Sequence, residues 1–218
     1  MAPRRRRPDG IAILVTGSRG SGKSGWTRQA VQRESRLLVW DTMHEWSRDR
    51  VVTPVRTLQD LHQVVVQDLM HPGPFRYGYV GPTTTKTFPT FCRLAIVWMK
   101  AAPGALVVEE LADVTHPGKA PEGWGECVRE GRHYGGRLYA LTQRPAESDK
   151  TIAGNVDIIH AGRQSFPRDR KTIAEYLDVP VADVTQLQNL HWLERDLRTH
   201  ALRRGTLSFG KARRRSQR

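Results

Sequence analysis

The residues best suited to chemistry lie in one glycine-rich stretch near the start of the chain. Residues 17–24 read GSRGSGKS, which matches the spacing G-x-x-x-x-G-K-[ST] of the P-loop, or Walker A motif. Glycines let the backbone turn tightly enough for several N–H groups to point at one phosphate chain. The lysine, Lys23, reaches the β- and γ-phosphates, and the hydroxyl of Ser24 is a ligand for Mg²⁺. The stretch therefore predicts a site for ATP and Mg²⁺.

The context of the loop supports this prediction. Ile11 to Thr16 is an apolar run typical of a buried strand, and residues 23–33 read as a helix. The positive end of that helix would face the phosphates. The predicted nucleotide-binding residues are Gly17, Ser18, Arg19, Gly20, Ser21, Gly22, Lys23, Ser24 and Gly25.

A second stretch supplies acids. Residues 105–111, ALVVEEL, read as a buried strand that ends in Glu109 and Glu110, the pattern of a Walker B motif. The first acid of this pattern holds Mg²⁺ through water, and the second is the usual general base that orients the attacking water. The first acid is more often Asp, so Glu109 departs from the common form.

Two further strands are predicted to end in polar residues. Residues 137–142, RLYALT, precede Gln143, whose amide could bond the γ-phosphate or the attacking water. Residues 36–41 end in Asp41. Ligands of open α/β sheets collect at the carboxyl ends of strands, so we expect Asp41 and the following Thr42-Met43-His44-Glu45-Trp46 to lie beside the nucleotide or a subunit interface. The alternative for Asp41 is a turn or helix cap, and for Gln143 a turn after the strand.

These motifs alternate with helical patterns along the chain. The alternation predicts an α/β fold of the P-loop NTPase type, with a mostly parallel central sheet flanked by helices. Residues 187–209 contain two extended pieces that could pair as a C-terminal β-hairpin. Further helices are predicted over 57–70, 90–101, 121–134 and 169–177, and Thr57 could cap the first of these. Further strands are predicted over 51–54, 75–80 and 156–160.

The charge of the chain is concentrated at its two ends. The net charge is +13 over 218 residues. Residues 1–10 hold four arginines and one aspartate, and residues 203–218 hold seven arginines or lysines and no acid. We therefore predict a basic N-terminal arm (1–10), an ATPase domain (11–202) and a basic C-terminal arm (203–218). Such arms bind polyanions by releasing counterions, without sequence preference, although solvated tails remain the alternative.

Composition excludes several other classes of protein. The two cysteines, Cys92 and Cys127, form no C-x-x-C motif, and no histidines have ligand spacing, which argues against a zinc site. Two thiols without a secretory signal fit a reducing compartment. The longest apolar runs are too short to span a membrane, so we expect a soluble protein.

Together these stretches resemble the FtsK–HerA superfamily of DNA-pumping ATPases. The resemblance rests on GSRGSGKS, VWDTMHEW, LVVEE, GRHYGGRLYALTQRP and IIHAGRQSFPRD and covers roughly residues 11–165. A short chain of this kind is most similar to the genome-packaging ATPases of tailless, membrane-containing icosahedral phages, the tectivirus-like group. The strand ending in Thr142-Gln143-Arg144-Pro145 is its most specific element.

The resemblance implies roles for individual residues. Lys23 and Ser24 would hold ATP and Mg²⁺, Glu109 would hold Mg²⁺, Glu110 would be the base and Gln143 the γ-phosphate sensor. Members of the superfamily work as rings, usually hexamers, with an arginine finger from a neighbouring subunit. The candidates for that finger are Arg163, Arg144 and Arg132, in that order, and a surface ion pair is the alternative for each.

The resemblance also implies where the protein works. Its partner would be double-stranded DNA, bound without regard to sequence and driven into a preformed shell in the host cytoplasm and the virion. The basic arms could contact that DNA, the anionic lipids of an inner membrane or a capsid vertex.

Three other functions remain open from the sequence. One is an assembly ATPase for filamentous-phage extrusion, the zonula occludens toxin-like group, whose members carry a membrane span. Another is a small-molecule P-loop kinase, which needs an arginine-rich lid and an acceptor pocket. The third is a nucleic-acid-binding scaffold with a degenerate nucleotide site, against which the intact Lys23, Ser24 and Glu110 argue.

Overall fold

The computed structural model describes residues 10–84 and 86–209, and in them nine strands form one sheet. The strands are β1 (Ile11–Thr16), β2 (Arg36–Trp40), β3 (Thr53–Val55), β4 (Phe75–Tyr79), β5 (Ala105–Val108), β6 (Arg137–Thr142), β7 (Ile158–Gly162), β8 (His191–Asp196) and β9 (Leu202–Thr206). Their order across the sheet is β3-β4-β2-β5-β6-β1-β7-β8-β9.

Helices connect these strands. They are α1 (Lys23–Ala30), α2 (Glu45–Arg48), α3 (Leu58–Met70), α4 (Thr87–Ala101), α5 (Trp124–Glu130), α6 (Lys150–Ala153), α7 (Pro167–Leu177) and α8 (Val181–Thr185). Seven of the strands, β1 to β7, run parallel, and β8 and β9 add an antiparallel pair at one edge. The predicted α/β class, the mostly parallel sheet and the C-terminal hairpin are confirmed.

The sheet is covered on both faces, as continuous apolar strands require. Side chains alternate along β1: Ala12 and Leu14 join the larger apolar cluster, while Ile13 and Val15 join the smaller one. The larger cluster also contains residues of α3, α4, α5 and α7, and the smaller one contains Trp46 of α2. The period of two along the strand thus divides one apolar run between two cores.

Most predicted helices are found, with some boundaries moved. The helix α3 begins after Thr57, whose hydroxyl accepts a hydrogen bond from the Asp60 N–H, as its sequence predicts. The helix α4 begins at Thr87 rather than at residue 90, so Pro89 lies in its first turn. Proline is tolerated there, because the N–H groups of the first turn have no hydrogen-bond partner within the helix. The helix predicted over 121–134 is an α-helix only from Trp124 to Glu130 and ends in a 3-10 turn.

Several strand boundaries also differ from prediction, by one residue at the ends of β2 and β4 and by more in three other strands. The strand expected over 105–111 ends at Val108, because Glu110 has a left-handed backbone with φ 41° that stops the extended chain. The strand expected over 156–160 is Ile158–Gly162, in register with β1 from Ile13. The strand expected over 51–54 is Thr53–Val55.

The described residues change the limits of the predicted arms. The strand β9 contains Arg203 and Arg204, which pair with β8, and Leu207 beyond it is buried. These residues therefore belong to the sheet and its cover rather than to a separate C-terminal segment. Residues 1–9 and 210–218 of the predicted arms lie outside the described residues.

Strand order decides where the motifs meet. In the sheet, β6 lies between β5 and β1, and all three are parallel. The glycine-rich loop follows the carboxyl end of β1, the two acids follow that of β5, and Gln143 follows that of β6. These residues therefore gather along the edge of the sheet that is formed by the carboxyl ends of its parallel strands. Among the described helices, none combines the length and apolar character needed to cross a bilayer.

Candidate active site

The glycine-rich loop closes between β1 and α1. Gly20 and Gly22 have φ of 78° and 102°, a left-handed backbone that side chains with a Cβ rarely adopt. Gly22 directly precedes α1, so the loop turns sharply and delivers the chain to the helix at Lys23. Because the first N–H groups of a helix have no partner within it, this turn leaves donors facing the loop.

Two neighbouring strands hold the loop in place. The N–H and the hydroxyl of Ser18 both donate to the carbonyl of Arg163, at 2.8 and 2.9 Å. The N–H of Gly17 donates to the carbonyl of Thr142 at 3.3 Å. The loop that sequence reasoning assigned to phosphate is therefore fixed by the chain just after β7 and the last residue of β6.

Lys23 lies with its side chain folded into the loop. Its Nζ donates a 2.6 Å hydrogen bond to the carbonyl of Gly17. Burial lowers the pKa of the Lys23 ammonium, and the negative charges of Glu110 and Glu109 oppose that shift. The ammonium thus bonds to the glycine-rich loop and is influenced electrostatically by both acids.

Glu109 is nearly inaccessible, with 5% of its surface exposed. Its Oε1 accepts a 2.7 Å hydrogen bond from the indole Nε1 of Trp46, and its Oε2 is buried with no hydrogen-bond partner among the described residues. Burial raises the pKa of Glu109 to about 7, while the Trp46 hydrogen bond lowers it. A buried carboxylate oxygen without a partner fits a cation or its bound water, so the site is suited to the Mg²⁺ that the sequence predicts.

Glu110 points toward the end of β6. Its Oε1 accepts hydrogen bonds from the backbone N–H of Gln143 at 2.9 Å and from the hydroxyl of Thr142 at 3.2 Å. The two residues predicted separately as base and sensor are therefore in direct contact. The contact runs through the main chain of Gln143, and its side chain remains exposed.

Gln143 and Glu110 border an open depression of about 650 Å³. This volume lies in the range of small-molecule sites. Ser18 and Arg19 of the loop line its other side, with Met43, Ala112, Asp113, Arg144, Glu147, Ser165 and Phe166 around it.

The three arginines considered as a finger have different surroundings. The Nε of Arg163 donates to Oδ1 of Asn189 at 2.7 Å. Arg144 pairs with Asp169 at 3.0 Å and its guanidinium lies over the ring of Phe166.

Arg132 lies at the opposite end of the sheet. Its carbonyl accepts from the N–H of Gly10, just before β1, and its guanidinium pairs with Asp157 at 3.3 Å. Of the three candidates, Arg163 and Arg144 therefore lie on the same edge as the loop and Arg132 does not.

Asp41 is a helix cap. Its carboxylate is buried and accepts hydrogen bonds from the backbone N–H groups of Trp46 at 3.2 Å and Ser47 at 2.9 Å, at the start of α2. Asp41 therefore has the hydrogen bonds of a helix cap, and it acts on the site through Trp46, which it holds against Glu109.

The sequence patterns assigned no specific role to three residues that shape the site. Trp46 and Thr142 contact the two acids, and their roles depend on neighbours far away in the chain. The third, Gln164, donates from Nε2 to the Thr16 hydroxyl at 2.9 Å, and its Oε1 is buried without a partner among the described residues. Gln164 carries an amide two residues after a buried strand, much as Gln143 follows β6. This similarity is the sequence signal that would have indicated Gln164.

Comparisons with known proteins agree with this geometry. No protein-family model matches the chain. Protein P9 of Pseudoalteromonas phage PM2 is 33% identical over 204 residues, which cover 90% of each chain. Among solved structures, the genome packaging NTPase B204 of Sulfolobus turreted icosahedral virus 2, in complex with AMPPCP, aligns with a TM-score of 0.73 at 16% identity, over 91% of this chain and 98% of B204.

A more distant match has the same fold. The N-terminal domain of zonular occludens toxin from Neisseria meningitidis aligns with a TM-score of 0.52 at 14% identity, over 94% of this chain and 96% of that domain. The resemblance expected from the motifs is confirmed by the phage relative and by the fold of B204. The chain therefore belongs to the family of protein P9 of phage PM2.

Proposed function

We propose that this protein is an ATPase that drives double-stranded DNA into a preformed viral capsid. The observation that carries the proposal is the meeting of Lys23, Glu109 and Glu110 at one edge of the sheet, in a chain related to a phage protein. B204, whose fold this chain shares, is named as a genome packaging NTPase, and its solved complexes contain AMPPCP, AMP and ATP-γS. These names support the proposal.

The geometry suggests how the site would work. N–H groups of residues 17–25 would hold the phosphates, and the ammonium of Lys23 would leave the Gly17 carbonyl for the β- and γ-phosphate oxygens. Ser24 and Glu109 would hold Mg²⁺. When bound, this ion offsets negative charge on the phosphate oxygens.

Glu110 would act as the general base. Its carboxylate is held by two donors at the end of β6, which fixes its orientation toward the depression beside the loop. A water placed there would be oriented by Glu110 and would give it a proton as it attacks the γ-phosphorus, while the bond from the γ-phosphorus to the bridging oxygen breaks and ADP leaves. The same carboxylate accepts a hydrogen bond from the Gln143 N–H. A movement of Glu110 when the γ-phosphate leaves would therefore also move the loop after β6.

We further propose a homo-oligomeric ring, hexameric by resemblance, in which an arginine of one subunit completes the site of the next. Arg163 is the first candidate because it lies on the same edge as the loop, and its carbonyl holds the loop through Ser18. DNA would be bound through its phosphates, without sequence preference. The basic ends of the chain would contact the DNA, a capsid vertex or membrane lipids, in the host cytoplasm and the virion.

ATP turnover with and without duplex DNA tests the proposal. We expect hydrolysis to be stimulated by duplex DNA of any sequence, and no phosphoryl transfer to small acceptors. Transfer to a small acceptor would instead identify a kinase, and no turnover would identify a scaffold.

One rival function has structural support. The zonular occludens toxin domain shares the fold, with a lower TM-score than B204. A protein of that kind would be the assembly ATPase for filamentous-phage extrusion that the sequence leaves open. ATP turnover that double-stranded DNA does not stimulate would favour that function over packaging.

A further inference from the structure

The chain beyond β9 lies across the outer surface of α1. Leu207 is buried; its N–H donates to the carbonyl of Leu190 at 2.8 Å, and its side chain packs against Gly22. The carbonyl of Ser208 accepts a 2.9 Å hydrogen bond from Nε2 of Gln29 on α1. We call residues 207–209 the C-terminal strap. It is fixed to the glycine-rich loop at one end and to the helix at the other.

The strap places an aromatic ring beside the predicted phosphate site. The ring of Phe209 lies against Gly25, and a Cβ built on Gly25 would come within 2.7 Å of it. Gly25 directly follows Ser24, the predicted ligand of Mg²⁺. The absence of a side chain at this position is therefore what lets the ring lie next to the end of the loop.

Much of that ring is open to solvent. Phe209 is 58% exposed although the strap around it is held by hydrogen bonds and by the burial of Leu207. It borders an open depression of about 530 Å³, which Gly25 and Gln29 of α1 and Gln32 just after α1 also line, together with Arg28, Arg50, Val51 and Arg76. An exposed aromatic face beside side-chain amides and guanidinium groups is the chemistry that recognises a flat, hydrogen-bonding ring.

We propose that Phe209 is the platform on which the base of the bound nucleotide stacks, with the amides of Gln29 and Gln32 near the edge of that base. This inference rests on the proposed function, since the phosphates must occupy residues 17–25 for the base to reach the strap. Stacking grows with the area of the π system, so purine nucleotides bind more tightly than pyrimidine nucleotides. The strap would also connect the bound nucleotide to the basic residues that follow it in the sequence.

The test compares two ligands that share phosphates but differ in the base. Titration calorimetry measures the binding of ATP and of inorganic tripolyphosphate to the full-length protein. We expect Phe209→Ala to weaken ATP binding about tenfold and to leave tripolyphosphate binding unchanged, because stacking acts only on the base. Phe209→Trp should restore ATP binding.

A matched control and a reference variant complete the design. Met70→Ala removes another exposed apolar side chain, 70% exposed at the end of α3, and should leave both ligands unaffected. Lys23→Ala should weaken both ligands, because it acts on the phosphates. Circular dichroism confirms that each variant is folded.

The outcomes separate this inference from the proposed function. Equal weakening of ATP and tripolyphosphate by Phe209→Ala, or no change in ATP binding, would overturn the role of Phe209 while the nucleotide site stands. A wild-type protein that binds neither ligand would overturn both. Loss of the preference for ATP over CTP in Phe209→Ala would support the stacking role further.

Discussion

The indole Nε1 of Trp46 donates a 2.7 Å hydrogen bond to Oε1 of Glu109, and both residues are buried. The bond joins α2 to the end of β5. It satisfies one oxygen of the carboxylate and leaves Oε2 for another partner. Asp41 holds the helix start that carries Trp46, so a chain of buried polar groups orients the acid predicted to hold Mg²⁺.

Replacing Glu109 should change how stability depends on pH. The pKa of Glu109 is about 7 in the folded protein and near 4.5 in the unfolded chain. Between these values the folded state keeps a proton that the unfolded state has lost, so the contribution of Glu109 to stability is present below pH 4.5 and is lost as the pH rises through 7. Without nucleotide, wild type should lose about 3 kcal/mol relative to Glu109→Gln from pH 4.5 to pH 8.

Urea unfolding of both proteins at a series of pH values measures this difference. Glu122→Gln is the matched control, because its side chain is 85% exposed and the same substitution there should give a pH profile parallel to wild type. Parallel profiles for wild type and Glu109→Gln would show that Glu109 has an ordinary pKa.

Lys23→Ala should weaken nucleotide binding and abolish turnover while leaving the fold intact. The substitution removes one hydrogen bond, to the Gly17 carbonyl, and also the cost of burying an ammonium, so stability should change by no more than about 1 kcal/mol. Fluorescent-nucleotide binding, ATP turnover and thermal unfolding check the three parts. Turnover near the wild-type rate would remove the loop from the mechanism.

Glu110→Gln should separate binding from hydrolysis. The amide keeps an oxygen that can accept from the Gln143 N–H but cannot take a proton from water. We expect normal affinity for ATP with Mg²⁺, a turnover rate lower by about a hundredfold or more, and an ATP-loaded assembly that persists on size exclusion. Unchanged turnover would mean that Glu109 or another acid is the base.

Thr142 should act as a positioning residue for that base. Its hydroxyl lies 3.2 Å from Oε1 of Glu110 and also contacts the N–H of Arg144 and the hydroxyl of Ser148. Thr142→Val keeps the shape and removes these bonds, so kcat should fall about tenfold with little change in ATP affinity. Thr142→Ser should restore kcat. A loss in ATP affinity equal to the loss in kcat would point to a general structural defect instead.

Removing the basic ends should test their contact with DNA. The deletion should remove only residues 1–9 and 210–218, because Arg203 and Arg204 belong to β9 and residues 207–209 cover α1. If these ends bind DNA, affinity for any duplex should fall, and the slope of log K against log salt should drop by about 0.9 for each lost phosphate contact.

Titration of labelled duplex at several salt concentrations gives that slope. ATP binding should be retained, since its predicted residues are all present. An unchanged slope would leave a ring pore lined by loops of the ATPase domain as the DNA-binding surface, with the basic ends free to contact capsid or lipid.

The sequence by itself predicted those parts of the protein that depend on neighbours in the chain. The strand, glycine-rich loop and helix from Ile11 to Ala30 follow from local patterns, because an apolar run, left-handed glycines and helix-forming residues each act over a few positions. The same holds for the Thr57 cap of α3 and for the hairpin of β8 and β9. The carboxyl ends of parallel strands lie on the same side of a sheet, so the sequence also predicted that the loop, Glu110 and Gln143 would lie on that side.

Only the tertiary structure decided how these residues contact one another. The order of strands brings the end of β5 next to β6, which lets Glu110 accept from the main chain of Gln143 across 33 positions of sequence. Trp46 reaches Glu109 across 63 positions, and Ser208 reaches Gln29 across 179. Such contacts depend on how two covered faces of a sheet pack, and packing energy is shared among many residues, so no local pattern encodes them.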